Sequence, residues 1–320
     1  MAESRVGRGW SVEQIPAQTG RRALVTGANS GIGFYAALEL ARKGADVLLG
    51  ARDRARGEAA VAKIRAEAQG ASVELLLLDL ASLESVRAVT EAELARGGRL
   101  DLLINNAGVM APKTREVTAD GFEMQFGVNV LGHFALTALL MPALERAAEQ
   151  SDVPPRVATI ASIAHKQGRI DFDDLQSEKR YDAMAAYRQS KLADLMLALE
   201  LDRRLRAAGS RVMSVAAHPG VAQTPLFLRT EHRGLERVVR RGIGAGIGLF
   251  LNSAEQGAMP TLFAATAQEA ASGGYYGPQG FEEMRGGDVG PARIAKQARD
   301  CESAVRLWSE CERLTGVRIL

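Results

Sequence analysis

"LVTGANSGIG", residues 24–33, runs the end of an apolar strand straight into three glycines and the start of a helix-period segment. Gly27 can take the tight turn, Gly31 lets backbone N–H groups approach a pyrophosphate, and Gly33 permits close packing of helix on strand. The free amides and the positive dipole end of the helix would then face the phosphates, with Asn29, Ser30 and Ile32 completing the loop. A glycine-rich turn alone often serves only chain geometry. The strand, loop and helix context favours dinucleotide binding here. "GIGAGIG", 242–248, follows no clear buried strand and reads as a mobile loop instead.

Outward from this loop, short apolar runs alternate with helix-period segments. The strand candidates are "RALVT", "DVLLG", "VELLLL", "LDLLIN", "RVATIAS" and "RVMSVAA". Helical stretches fall at 33–43, 54–69, 82–96, 118–148 and 182–208, with a further helix opening at the Ser253/Gln256 capping box. The stretch 291–316 would be a last helix ending at Gly316. The alternation predicts an α/β fold, a single doubly wound domain with a mainly parallel sheet and helices on both faces. No linker interrupts it, so residues 21–320 read as one domain behind an N-terminal extension, 1–20. Residues 225–252 break the pattern.

The 320 residues, 47% hydrophobic, can bury a core without disulfides or metal. A net charge of +2 from 40 basic and 38 acidic residues offers no field for nucleic acid. Cys301 and Cys311 lie ten apart in one expected helix, which gives no CxxC site. The first twenty residues lack a signal-peptide core and nowhere do eighteen apolar residues run together, so the expectation is a soluble cytoplasmic protein without a transmembrane segment. His133, His165, His218 and His232 have no metal spacing, and "DFDD", 171–174, reads as a solvated turn; no metal is expected.

At the end of the second strand, "LLGARD", Gly50 and Ala51 leave no carboxylate for a ribose 2′-OH, while Arg52 could pair with a 2′-phosphate. NADP(H) is favoured; Asp53, already turning into the next helix, keeps NAD(H) open. "AYRQSK", 186–191, sets Tyr187 and Lys191 one helical turn apart. A free tyrosine titrates near 10, so acid/base work near neutrality needs about 4 kcal/mol of selective phenolate stabilisation. A lysine on the same face and an oxidised nicotinamide ring carry charges of the right sign.

With "TGANSGIG" at 26–33, "NNAG" at 105–108, Asn129 in "FGVNVLGHF", Ser162 in "ASIAH" and "YRQSK" at 187–191, the sequence resembles the short-chain dehydrogenase/reductase family. The long Ser-to-Tyr spacer, "HPGVAQT" at 218–224 and "AVRLWSECERLTG" are similar to its retinol-dehydrogenase-like branch. The resemblance implies a Rossmann domain and hydride transfer between nicotinamide C4 and a carbonyl or alcohol carbon. Tyr187 would be the general acid/base, and Lys191 would tune it and hold the nicotinamide ribose. Ser162 would polarise the carbonyl, and Asn129 would hold a relay water. Asp79 would contact adenine, with Leu80 beside it. Asn106, Ala107 and Gly108 would pass near the ribose, and Gly220, Val221 and Thr224 near the carboxamide.

Substrate selection should fall to residues 225–252, a lid over an apolar pocket, and so to a small lipophilic carbonyl or alcohol. Arg233, Arg237, Arg240 and Arg241 would allow docking of an acidic carrier protein or a membrane surface. The resemblance leaves a homo-oligomer open. Two other functions compete: a non-catalytic dinucleotide-binding regulator, which has no need of Ser162, Tyr187 and Lys191 together, and a reductase of a carbon–carbon double bond.

Overall fold

The computed structural model describes residue 7 and residues 9–221 and 252–319. Its frame is an eight-stranded sheet in the order β3-β2-β1-β4-β5-β6-β7-β8. The strands are β1 (Arg22–Thr26), β2 (Asp46–Ala51), β3 (Val73–Leu77), β4 (Leu102–Asn105), β5 (Arg156–Ile160), β6 (Met213–Ala217), β7 (Tyr275–Pro278) and β8 (Val289–Pro291). β1 to β7 pair in parallel, and β8 alone runs antiparallel, on β7. The helices are α1 (Gly31–Arg42), α2 (Arg54–Glu67), α3 (Leu83–Ala95), α4 (His133–Gln150), α5 (Ala183–Ala207), α6 (Ala254–Thr266) and α7 (Cys301–Thr315).

Alternation along each strand divides the core between the two sheet faces. Leu24, Leu48 and Leu103 pack with α3, α4, α5 and α7. Ala23, Val25, Val47, Leu49 and Ile104 pack with α1, α2 and α6 on the opposite face. Order reverses at β1, whose neighbours are β2 and β4, so a crevice opens beyond their carboxyl ends. The first glycine loop and "NNAG" both meet there.

Three departures from the sequence reading have local causes. The helix expected from 118 begins at 124, because Val117 and Glu123 form an isolated bridge, the Phe122 N–H donates to Thr118 Oγ1, and the Glu123 carboxylate accepts from the Phe126 N–H. The last helix starts only at Cys301, where Asp300 accepts from the amides of Glu302 and Ser303. Residues before it form the end of β8 and a 3-10 turn, Lys296–Arg299. β7 and β8 carry too few residues, with glycine and proline among them, to leave a periodic signal.

The run Phe126–Gln150 is long and apolar enough to cross a membrane, but 89% of its most apolar window is buried inside the fold, as in a core helix. Residues 9–20, read as an extension, are tied to the fold: Trp10 is buried edge-on against Phe263 of α6, and the Gly9 N–H donates to Asp288 Oδ1 just ahead of β8. Thr224, His232, "GIGAGIG" and the expected lid, apart from Asn252, lie outside the described residues.

Candidate active site

Gly27 and Gly31 have φ of +65° and +61°, backbone that favours glycine. A Cβ on Gly33 would lie 2.7 Å from Gly27 O and collide with Asn106 Nδ2, which explains why the first turn of α1 carries a glycine there. Ser30 caps α1 without a side-chain hydrogen bond, so the first-turn amides are left for a ligand or solvent. Asn29, Gly31 and Ile32 are half-buried and Ser30 is exposed, which makes the loop a surface-accessible cradle.

The "NNAG" segment is fastened to this loop through Thr26. Thr26 Oγ1 accepts from the amides of Asn106 and Ala107, both at 2.9 Å, and lies 2.9 Å from His133 Nε2. His133 Nδ1 faces Asn129 O at 2.9 Å, which assigns the proton to Nδ1 and leaves Nε2 to accept from Thr26. Burial pushes the His133 pKa down to about 4, so the ring is neutral. Asn106 Nδ2 also donates to Thr26 O, at 2.8 Å. Neither Thr26 nor His133 was singled out from sequence for a role at the loop; the signal was only that both belong to the quoted motifs.

Asn129 sits in a π-helical stretch, Phe126–Gly132, directly ahead of α4. Its side chain accepts from the Val109 N–H and donates to Val109 O and Ser190 Oγ, which locks the segment after Gly108 onto α4 and α5. π-Helical turns recur at functional sites. Ser162 ends the connection after β5 and its hydroxyl accepts from the Ala164 N–H, capping a 3-10 turn, Ile163–Gln167.

Asp182 caps α5, accepting from the Ala185 N–H at 2.7 Å, and thereby sets the frame of Tyr187 and Lys191. Both are buried. Lys191 Nζ donates to Ile160 O, the last residue of β5, and to Asp194 Oδ2, each at 2.8 Å. Burial opposes its charge, but Asp194 and Tyr187 outweigh that and hold its pKa above the usual lysine value. A Cβ on Gly108 would be 3.4 Å from Asn129 Oδ1 and 3.9 Å from Lys191 Nζ, so Gly108, Asn129 and Lys191 meet at one point. Asp194 was unassigned from sequence, where its spacing of three from Lys191 was visible but its burial was not.

Arg52 stands exposed just past β2 with no ion-pair partner among the described residues, whereas Asp53 caps α2 by accepting from the Arg56 N–H. The Asp79 carboxylate accepts from the Ala81 N–H at the end of β3, and Leu80 is buried against Gly132. Gly220, φ +68°, turns the chain after β6, and the Val221 N–H donates to Met284 O. His218 is buried 3.5 Å from Glu283. Burial would raise the Glu283 pKa, but His218, the Lys166 ammonium and the Arg293 amide outweigh it and hold it at about 2. "DFDD" is a hydrogen-bonded turn: Asp174 accepts from the amides of Glu178, Lys179 and Arg180.

A family model described as short chain dehydrogenase matches residues 21–233. Retinol dehydrogenase 13 of Homo sapiens is 43% identical over 301 residues, 93% of this chain and 85% of that protein. Polyprenol dehydrogenase of Mus musculus is 44% identical over 304 residues, covering 94% and 86%. A solved structure of a Mycobacterium Paratuberculosis protein superposes with a TM-score of 0.77 at 37% identity, covering 97% of this chain and 99% of that one.

Proposed function

The chain belongs to the short-chain dehydrogenase family, as an oxidoreductase acting on CH–OH and C=O groups, and from that premise we propose that it is an NADP(H)-dependent enzyme for a lipophilic alcohol or carbonyl. The dinucleotide, when bound, supplies the hydride donor or acceptor. The residues present fit it: the cradle of Gly27, Asn29, Ser30, Gly31, Ile32 and Gly33 offers amides at a helix N-terminus to its phosphates. Unpaired Arg52 is available to a 2′-phosphate, and Asp53, committed to its own helix cap, is withdrawn from a ribose 2′-OH.

Tyr187 delivers a proton to the substrate oxygen in reduction and removes it in oxidation. Lys191 supplies the fixed positive charge beside it, and Ser162 donates to the substrate oxygen. Asn129 acts by locking the Val109 backbone, and His133 by holding Thr26. The observation that carries this reading is the burial of the Lys191 ammonium on the same helix as Tyr187, anchored to the strand that leads into Ser162. The retinol and polyprenol dehydrogenases it resembles are named for long isoprenoid alcohols, which supports a lipophilic substrate of that class.

The test is cofactor absorbance with NADP(H) and NAD(H) against isoprenoid and simple alcohols, aldehydes and ketones. Tyr187→Phe should lower kcat about a hundred- to ten-thousandfold while nucleotide affinity stays within about threefold, in line with removal of a general acid/base. Undiminished turnover in that variant would refute the assignment.

A further inference from the structure

Asp194 is buried, lies 2.8 Å from Lys191 Nζ, and has no part in the chemistry above. It faces an unusual set of groups. A cavity of about 40 Å³ lies between α4, α5, β5 and α7, lined by Asp194, Asn105, His133, Thr159 and Trp308 among others. From α4 the facing titratable group is His133, neutral in its buried setting. From α7 it is Cys311, a buried thiol whose pKa burial pushes well up and which Asp194 pushes further. From α5 it is Lys191, with Tyr187 one turn beyond. Burial pushes the Asp194 pKa up to about 6 against the opposing pull of Lys191, so at neutral pH the carboxylate and the Lys191 ammonium face one another as a charged pair, with His133 neutral beside them.

A carboxylate there does two opposed things. It repays Lys191 for losing water, since a buried ammonium without a partner is costly. It also cancels part of the positive field that the ammonium projects toward Tyr187. The second effect bears on the reaction, because the field on the phenol decides how readily its proton leaves.

We propose that Asp194 is a positioning residue whose negative charge, acting through Lys191, sets the pH range in which Tyr187 exchanges its proton with substrate. The inference rests on the Tyr187 reading given under Proposed function. Tyr187 and Asp194 are seven residues apart on one helix, ~10 Å at ~1.5 Å per residue. One unit charge at ~10 Å through an effective dielectric of ~20 moves an ionisation by about one pH unit. Loss of the anion therefore makes the phenolic proton easier to remove.

The experiment is the pH dependence of kcat/KM for alcohol oxidation in wild type, Asp194→Asn and Asp194→Glu. Asp194→Asn should move the rising limb about one pH unit toward acid. Asp194→Glu keeps the charge, and the cavity has room for its extra methylene, so its limb should overlay that of wild type. An Asn variant whose limb is unmoved, or moves toward alkali, overturns the proposal. Should Asp194→Asn fail to fold, Asp194→Ser carries the same expectation, with cavity space for a water in place of the lost atoms.

A second readout separates this inference from the reading beneath it. Tyrosinate absorbance of the cofactor-free protein, taken as a difference against Tyr187→Phe, titrates position 187 without any turnover. An active Tyr187→Phe enzyme would remove the functional reading and the proposal that rests on it. An inactive one, with the position-187 titration identical in wild type and Asp194→Asn, would remove the Asp194 proposal alone.

Discussion

Replacing Thr26 with valine tests whether one hydroxyl joins the glycine loop to "NNAG". The side chains have nearly the same shape, so packing against β1 and β4 is kept and the hydrogen bonds are removed. Two groups lose their partner, the Ala107 amide and Nε2 of His133, each 2.9 Å from Thr26 Oγ1, while the Asn106 amide loses one of two acceptors and keeps Ile104 O at 3.0 Å. A buried polar group left unsatisfied costs about 1–3 kcal/mol. Ala107 is half-buried and its amide recovers some hydration, so it falls near the low end, while buried His133 falls higher. The sum is about 2–4 kcal/mol, a large share of a typical net stability of about 5–15 kcal/mol. Urea unfolding should show a lower midpoint at unchanged slope, and Thr26→Ser, which keeps the hydroxyl, should lose only about 1 kcal/mol. The reasoning fails if the Val and Ser variants unfold within 1 kcal/mol of one another.

Three other outcomes follow from the site. Arg52→Ala should weaken NADPH binding about ten- to a hundredfold with little change for NADH, the range of one charge-assisted phosphate contact; equal losses in fluorescence titrations would reassign the cofactor. Gly33→Ala must push Asn106 off Thr26 O or shift α1, so both nucleotide affinity and Tm should fall, Tm by several degrees for overpacking of about 1–3 kcal/mol; an unchanged melting curve would count against the close-packed loop. The Glu283 pKa, held at about 2 against an ordinary 4.5, contributes stability that is complete above pH 4.5 and lost as pH falls through 2; Glu283→Gln should be less stable at pH 7 and lose less between those limits. Equal acid sensitivity in the two chains would show that Glu283 takes no part.

The parallel sheet was legible because fully buried strands leave continuous apolar runs, and the six quoted runs all became strands. β7 and β8 were not, since "YYGP" and "VGP" owe their strand form to neighbours β6 and β7, not to any pattern of their own. The glycine loop could be read because φ above zero and a forbidden Cβ restrict those positions to one residue type. The polar hub behind it could not, because Thr26, His133 and Asn106 are far apart in sequence and meet only through pairing of β1 with β4 and the approach of α4. Asp53 was read correctly as turning into its helix, since an aspartate ahead of a helical run is itself a cap signal. Asp194 escaped notice because sequence gives spacing but not burial, and only burial distinguishes it from a surface charge.

The docking of Trp10 and Gly9 has a consequence at the β8 edge of the sheet. β8 is the last strand of the sheet, and Gly7 lies so close to it that a Cβ there would strike Val289 O. An uncovered strand margin is a template for another chain. Trimming the first ten residues should thus leave catalysis largely intact while making the protein sticky toward its own copies, so that shelf life in solution, and not turnover, would report the damage.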